Sequence, residues 1–437
     1  MSYLGVPPFG QTVRTVTEVT AQQDQVTFYP TGGYIPGYID IDTNGSGLGS
    51  ADFTATDGVS VTLAVKCGAG DLFKSIAYWP VALQDTMRRA EINGIVGAGG
   101  WAMRNRLING DMRIDQRNAG AAITNGAGST YFVDRWLMYD GSGGSHFSVG
   151  QNKNGVASLS ATGFANYLGF QTTSAVSASA ANNFTLNQYI EGYNVADLQW
   201  GTVNAKPATL SFWVQSSLTG TFAGVIQEDG GTAFYVYTYT INQANTWEFK
   251  TINIPAATIG TWSTTNGRGI NARWDMGMGS NFNGTAGAWS ASSAYTVAGA
   301  QKVVGTLGAT FYITGVQFEK GSYATPFDFR PIGTELALCQ RYYVNYAGTN
   351  WALNPSGNNG QNSNPAWTFA VPMRAAPTGS NITGYVQGYT TSYTINSASL
   401  STSATGVGYF VSTLSSNPSY SSWLMLELTT CSMSAEL

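Results

Sequence analysis

A run-and-turn pattern constrains this chain more than anything else in it. Short stretches rich in β-branched and aromatic residues are broken at intervals by clusters of Gly, Asn and Ser. Residues 209–215 (TLSFWVQ), 233–239 (AFYVYTY), 245–255 (NTWEFKTINIP) and 311–318 (FYITGVQF) are of this kind. Residues 12–20 alternate strictly, with Val13, Thr15, Thr17 and Val19 on one face and Thr12, Arg14, Val16 and Glu18 on the other, which is the period of a strand. Many short strands separated by turn clusters point to an all-β chain built as a sandwich or jelly roll. Residues 81–93 alone read as a helix, with Leu83, Met87 and Ala90 or Glu91 on one stripe. Gly94 to Gly100 then breaks that helix as a hinge. Residues 334–343 are expected to form a short helical turn.

Only 10% of the residues are charged, against roughly 25% in ordinary soluble chains, so Gly, Ser, Thr, Asn and Gln must solvate the surface. With 12 Trp, 24 Tyr and 20 Phe there is ample material for a core, which argues against disorder. Acids outnumber bases, 24 to 20, so a grip on a nucleic-acid backbone is not expected. No apolar run is long enough for a transmembrane helix, and membrane insertion is not expected. The opening residues, Met1 to Pro8, lack the basic and apolar regions of a signal peptide, so synthesis in a reducing cytoplasm is expected. Cys67, Cys339 and Cys431 show no CxxC spacing and read as small apolar fillers, with a disulfide between two of them as the alternative. The single histidine, His146, excludes a multi-histidine metal site and weakens any Ser-His-Asp arrangement. It reads as a strand-start residue. Gly97 to Gly100 lacks the Lys of a P-loop. No cofactor is expected.

Several segments carry a family resemblance. Residues 104–117 (RNRLINGDMRIDQR), 311–321 (FYITGVQFEKG) and 324–331 (ATPFDFRP) resemble the opening and closing strands of a jelly roll found in bacteriophage tail-fibre and virion structural proteins. Residues 12–20, 30–38 (PTGGYIPGY), 52–58 (DFTATDG) and 59–63 (VSVTL) resemble a recurring N-terminal domain of phage tail fibres and adhesins. Lys66-Cys67 departs from the small or polar loop residues expected there. Residues 209–215, 233–239 and 245–255 resemble the central strands of carbohydrate-binding-module sandwiches. Residues 335–343 are similar to that family's continuation after its Arg-Pro, and residues 372–377 (PMRAAP) resemble a segment of C-terminal phage domains. The resemblance implies an N-terminal β attachment module at 1–80, a linker helix and Gly hinge at 81–100, a jelly-roll sandwich at 101–331 and a C-terminal β domain at 332–437. It implies a tail fibre or receptor-binding appendage located in the virion. Such a protein is usually a homotrimer, joined to other tail or neck proteins through residues 1–80 and adhering to host cell-surface glycans. Two alternatives stay open: a head or neck fibre decorating the capsid, and a tail-associated glycan hydrolase.

Candidate binding residues follow from the aromatic pattern. Tyr235, Tyr237 and Tyr239 share one face of a strand with Ile241, either as a platform for sugar rings or as packing against a second subunit or a covering loop. Trp262 and Trp274 lie in the Gly-rich stretch 260–279, and Trp351 sits beside Asn350 and near Asn354; all three are candidate glycan contacts. A hydrolase would need two carboxylates about 5–10 Å apart. Glu228 and Asp275 are the pair to weigh, although Glu228-Asp229-Gly230-Gly231 also reads as a hairpin turn. An enzyme is not expected.

Overall fold

A computed structural model describes residues 12–80, 103–155, 158–346, 349–353, 366–387, 392–402, 407–414 and 424–437. Side chains of residues 12–13, 79–80, 349–368 and 379–431 are outside that description. The expected linker helix and hinge fall outside the described residues, as does the side chain of Cys431. The chain divides into two compact units, Met1–Arg88 and Arg89–Leu437.

The first unit holds β1 (Thr12–Thr20), β2 (Gln25–Phe28), β3 (Ile39–Thr43), β4 (Ser46–Gly47), β5 (Phe53–Thr54), β6 (Val61–Cys67) and β7 (Leu72–Pro80). They form two antiparallel sheets, ordered β1-β7-β3-β4 and β2-β6-β5. The alternation of apolar residues does the sorting: Val61, Leu63 and Cys67 turn inward from β6 while the residues between them face water. Phe28 and Phe73 stack with ring centroids 4.0 Å apart. Asp57 ties the turn before β6 by accepting from the amides of Val59 and Ser60 and from the Ser60 hydroxyl, and these bonds hold its carboxyl well below the usual carboxylate range.

The second unit is dominated by a β-sandwich. Its strands are β8 (Ile123–Thr124), β9 (Gly128–Val133), β10 (Trp136–Asp140), β11 (Phe147–Gln151), β12 (Leu168–Thr172), β13 (Phe184–Glu191), β14 (Ala208–Ser216), β15 (Gly220–Gln227), β16 (Phe234–Ile241), β17 (Glu248–Ile254), β18 (Arg268–Asp275), β19 (Trp289–Ser290) and β20 (Thr310–Lys320). One sheet has seven strands, ordered β19-β16-β15-β18-β13-β10-β9, and the other six, ordered β17-β14-β20-β12-β11-β8. Period two decides what lies between them. Ala208, Leu210, Phe212 and Val214 of β14 enter the core, as do Phe311, Ile313, Val316 and Phe318 of β20. At the centre Phe212 meets Trp274 edge to face, a geometry that suits aromatic quadrupoles, and Trp136 lies tilted against Trp274 at 5.5 Å.

Segment 104–117 explains its own composition. It is buried along β20 and the chain that follows, and its backbone is satisfied by side chains. Asn105 donates to the Val316 carbonyl and accepts from the Leu107 and Phe318 amides. Gly110 lies so close that a Cβ there would sit 2.1 Å from the Val316 carbonyl oxygen. Arg330 reaches back to the carbonyls of Asn105 and Leu107 and to the Glu335 carboxylate. Glu335 sits in the first turn of α1 (Ile332–Gln340), where a negative charge suits the helix dipole. Buried Cys339 and Tyr342 pack α1 and its C-terminal turn on Ile108 and Ile114. Cys67 and Cys339 are buried free thiols.

Beyond the helix, β21 (Tyr343–Asn345), β22 (Thr349–Leu353), β23 (Ala366–Thr368), β24 (Thr378–Gln387), β25 (Ser392–Thr402), β26 (Val407–Leu414) and β27 (Leu424–Ser434) form a further antiparallel sheet. Its last residues return to the sandwich. Glu436 accepts from Arg117 and Arg135, and Arg341 pairs with Glu191. Arg135 also lies over the Tyr342 ring. Several of the chain's few charges are thus placed where the C-terminal residues join the sandwich.

Candidate functional site

The structure corrects the tyrosine stripe. Tyr235, Tyr237 and Tyr239 are at most 6% exposed and belong to the sandwich core beside Phe212 and Phe222. The Tyr235 hydroxyl donates to the Asn253 carbonyl and the Tyr237 hydroxyl to the Arg273 carbonyl, and burial holds both phenols above their usual pKa. These rings cannot offer a platform to a sugar. Alternation showed that they share a face, but β16 is apolar on both faces because Ala294 and Tyr295 roof Phe234 and Val236 on the other side. Trp274 is fully buried between the sheets, which removes it as an exposed loop contact. Trp351 lies in β22, with its side chain outside the described residues. Trp262 is half-buried and does line a cleft.

That cleft, about 300 Å³, is bounded by Trp200, Trp262, Gln199, Asn204, Ser263 and Thr264 among others. Trp200 and Trp262 meet edge to face at 4.7 Å. Both indole N–H groups are spent on backbone carbonyls, of Lys206 and Ile259, so the rings present apolar surface only.

The more developed aromatic surface is on the outer face of the six-stranded sheet. Trp213 of β14 and Phe249 of β17 are partners in register, with ring centroids 5.5 Å apart. Three rings from loops close around them. Phe164 meets Phe327 at 4.9 Å and Phe329 at 5.3 Å, and Phe327 meets Phe329 at 4.9 Å. Gly315 allows this: its φ is +59°, and a Cβ there would lie 2.5 Å from the Phe164 ring, a collision in a backbone region that disfavours side chains. Between the rings runs a trough of about 310 Å³, with Ser211 and Thr325 among its lining. Phe249 is 47% exposed and Phe329 59%. A buried network fixes the adjoining loop, since Glu319 accepts from the Thr325 amide and hydroxyl and from Gln317. Sequence reasoning missed this site because three of its rings come from loops. The available signal was a Trp among the outward polar positions of β14, Thr209, Ser211, Trp213 and Gln215.

Glu228 and Asp275 do not meet. Register aligns Gly224 with Trp274, which puts Asp275 level with Ala223, five residues from Glu228. That is about 17 Å at ~3.4 Å per residue, beyond the span of a glycosidase pair. Glu228 closes the β15–β16 hairpin by accepting from the Gly230 and Thr232 amides. Asp275 accepts from the Gly277 and Met278 amides. His146 contacts the Ser142 hydroxyl and the Ser174 carbonyl. Among the described residues, no group of three His, Cys, Asp or Glu is placed to hold a metal ion, and no helix is long and apolar enough to cross a membrane.

No protein-family model matches the chain, and no curated protein does. Solved structures similar to it include the enzymatically active domain of bacteriophage CBA120 tailspike protein 4, at 13% identity and a TM-score of 0.26, covering 50% of this chain and 21% of that one. This chain thus spans about a fifth of the tailspike domain's length. TmCBM61 in complex with β-1,4-galactotriose is similar at 12% identity and a TM-score of 0.24, over 50% of this chain and 99% of that one. A putative sugar binding protein from Bacteroides thetaiotaomicron is similar at 10% identity and a TM-score of 0.28, over 47% and 98%. At these scores none of them assigns a role to a residue of this chain.

Proposed function

We propose that this chain is a virion structural protein of a tailed bacteriophage, a tail fibre or receptor-binding appendage that adheres to host-surface glycans through the Trp213–Phe249–Phe329 trough. The trough carries the glycan reading. Rings from four separate parts of the chain are gathered on one sheet face, and two of them, Phe249 and Phe329, stay about half exposed to water. Exposed rings are costly, and a clustered apolar patch marks an interaction surface. Sugar C–H faces stacked on such rings would cover them. The phage assignment rests on the resemblances of residues 12–63, 104–117 and 311–331. In this reading residues 1–80 join other tail or neck proteins, the chain is a homotrimer, and each copy contributes one weak site to a multivalent grip.

A glycan array on the full-length protein tests the trough. Retention of at least one glycan, with Trp213→Ala losing it while its circular dichroism is unchanged, supports the reading. A blank array, or retention unaffected by Trp213→Ala, rejects it. Immunogold labelling of virions with antibody against residues 332–437 tests the location. Gold at the tail periphery supports the appendage, and gold over capsid or neck makes the protein a head or neck fibre.

A further inference from the structure

The outer face of the seven-stranded sheet carries a guanidinium without a directly paired carboxylate among the described residues. Arg273 projects from β18 between its register partners Asn187 of β13 and Val225 of β15. Among the described residues no acid lies within ion-pair distance of it. With its amide oxygen turned to the guanidinium, Asn271 accepts from Arg273 Nε and Nη2, both at 2.6 Å. Nη1 has no described hydrogen-bond partner. Burial and the like charge of Arg268 lower the arginine pKa, with nearby Tyr189 and Tyr295 and the more distant Asp229, itself paired with Arg268, opposing. A cation desolvated in this way is costly until a counter-charge completes it.

The surroundings narrow the class of that counter-charge. Tyr295 places its ring 5.0 Å from the Arg273 guanidinium, and Arg268 lies over the Tyr189 ring at 4.1 Å. Two buried acceptors in the same layer have no partner, Gln227 Oε1 and Asn187 Oδ1. Gln227 neighbours Asn271 across the ladder, and Asn187 neighbours Arg273. A simple anion would satisfy the cation and leave both acceptors empty. A neutral sugar would do the reverse.

We propose that this layer is a second saccharide site, for a uronate-type acidic sugar. Its carboxylate accepts from Arg273 Nη1, its hydroxyls donate to Gln227 and Asn187, and its ring lies against Tyr295. The site is on the opposite sheet from the trough and stands or falls without it.

The test is calorimetric titration of the full-length protein with trigalacturonate, galactotriose and inorganic phosphate. A hydrogen bond to a charged group corresponds to roughly a tenfold or larger preference for the acidic trisaccharide over the neutral one. That preference is expected to persist in Trp213→Ala and to vanish in Arg273→Met, with Arg273→Lys restoring part of it. Phosphate at equal concentration is expected not to displace the trisaccharide. Equal affinity for the acidic and neutral sugars in the wild type overturns the proposal, and this comparison needs no variant to fold. Displacement by phosphate, loss of the preference in Trp213→Ala, or its retention in a folded Arg273→Met also overturns it. If neutral glycans fail to bind at all, the trough reading fails while the acidic-sugar result still decides this one.

Discussion

Asp275 is a buried acid whose stability cost depends on pH. One of its oxygens accepts from the Gly277 and Met278 amides at 2.7 Å each, and the other from the Thr296 hydroxyl. Complete burial nevertheless pushes its pKa from 3.8 up to about 6, with those hydrogen bonds opposing. A rise of about two units corresponds to ~3 kcal/mol of preference for the protonated acid in the folded state. Because the folded pKa lies above the unfolded one, that contribution is complete below about pH 4 and is lost as pH rises through 6. Asp275→Asn keeps an acceptor for both amides, can donate to the Thr296 hydroxyl, and is neutral at every pH. The stability gap between variant and wild type is therefore expected to widen in the variant's favour by about 2.4 kcal/mol from pH 4 to pH 7.5. Urea unfolding followed by tryptophan fluorescence at both pH values measures it, since Trp136 and Trp274 lie in the same core. Asp134 is also raised to about 6 by burial, but it titrates in both proteins and cancels. A gap that stays constant or narrows with pH would refute the reasoning.

Gly110→Ala is expected to cost at least the ~1–3 kcal/mol of an overpacked core, because the Val316 amide also bonds the Gly110 carbonyl at 2.9 Å and holds the two backbones together; a lowered urea midpoint checks it. Tyr237→Phe removes one buried hydroxyl bond and leaves the Arg273 carbonyl its ladder, so a loss near 1 kcal/mol is expected in the same assay. Glu436→Ala leaves Arg135, 1% exposed, without its carboxylate. A loss of ~3–5 kcal/mol is expected to appear as faster proteolysis of the C-terminal residues, and an unchanged digestion rate would count against the ionic tie.

The strands were legible wherever one face had to be apolar and the other polar. β1, β6 and β14 follow that rule, and so does the all-β class. What alternation could not supply was the direction of each face. In β16 both faces are apolar, since a roof of residues 282–297 covers the outer one, so Tyr235, Tyr237 and Tyr239 looked available when they are core. The trough was illegible for a different reason. Phe164, Phe327 and Phe329 have no periodic neighbours, and a tertiary approach made possible by Gly315 brings them to Trp213. The motif at 104–117 stood out in sequence, and its role is structural, since Asn105, Asn109 and Gly110 supply bonds and clearance that few other residues could.

The bond from Asn105 of that motif to Val316 spans 211 residues of chain and the bond from Asn109 to Glu335 spans 226. Closing a loop of this length costs entropy that nearer contacts do not repay in advance, and folds dominated by such separations assemble slowly. Residues 104–117, which form no strand of their own, therefore cannot be seated against the sandwich until Arg330 and Glu335 have been synthesised. Until then Leu107, Met112 and the inner face of β20, all buried in the finished fold, lack the neighbours that cover them, and apolar surface left open in this way is what invites misassociation during folding.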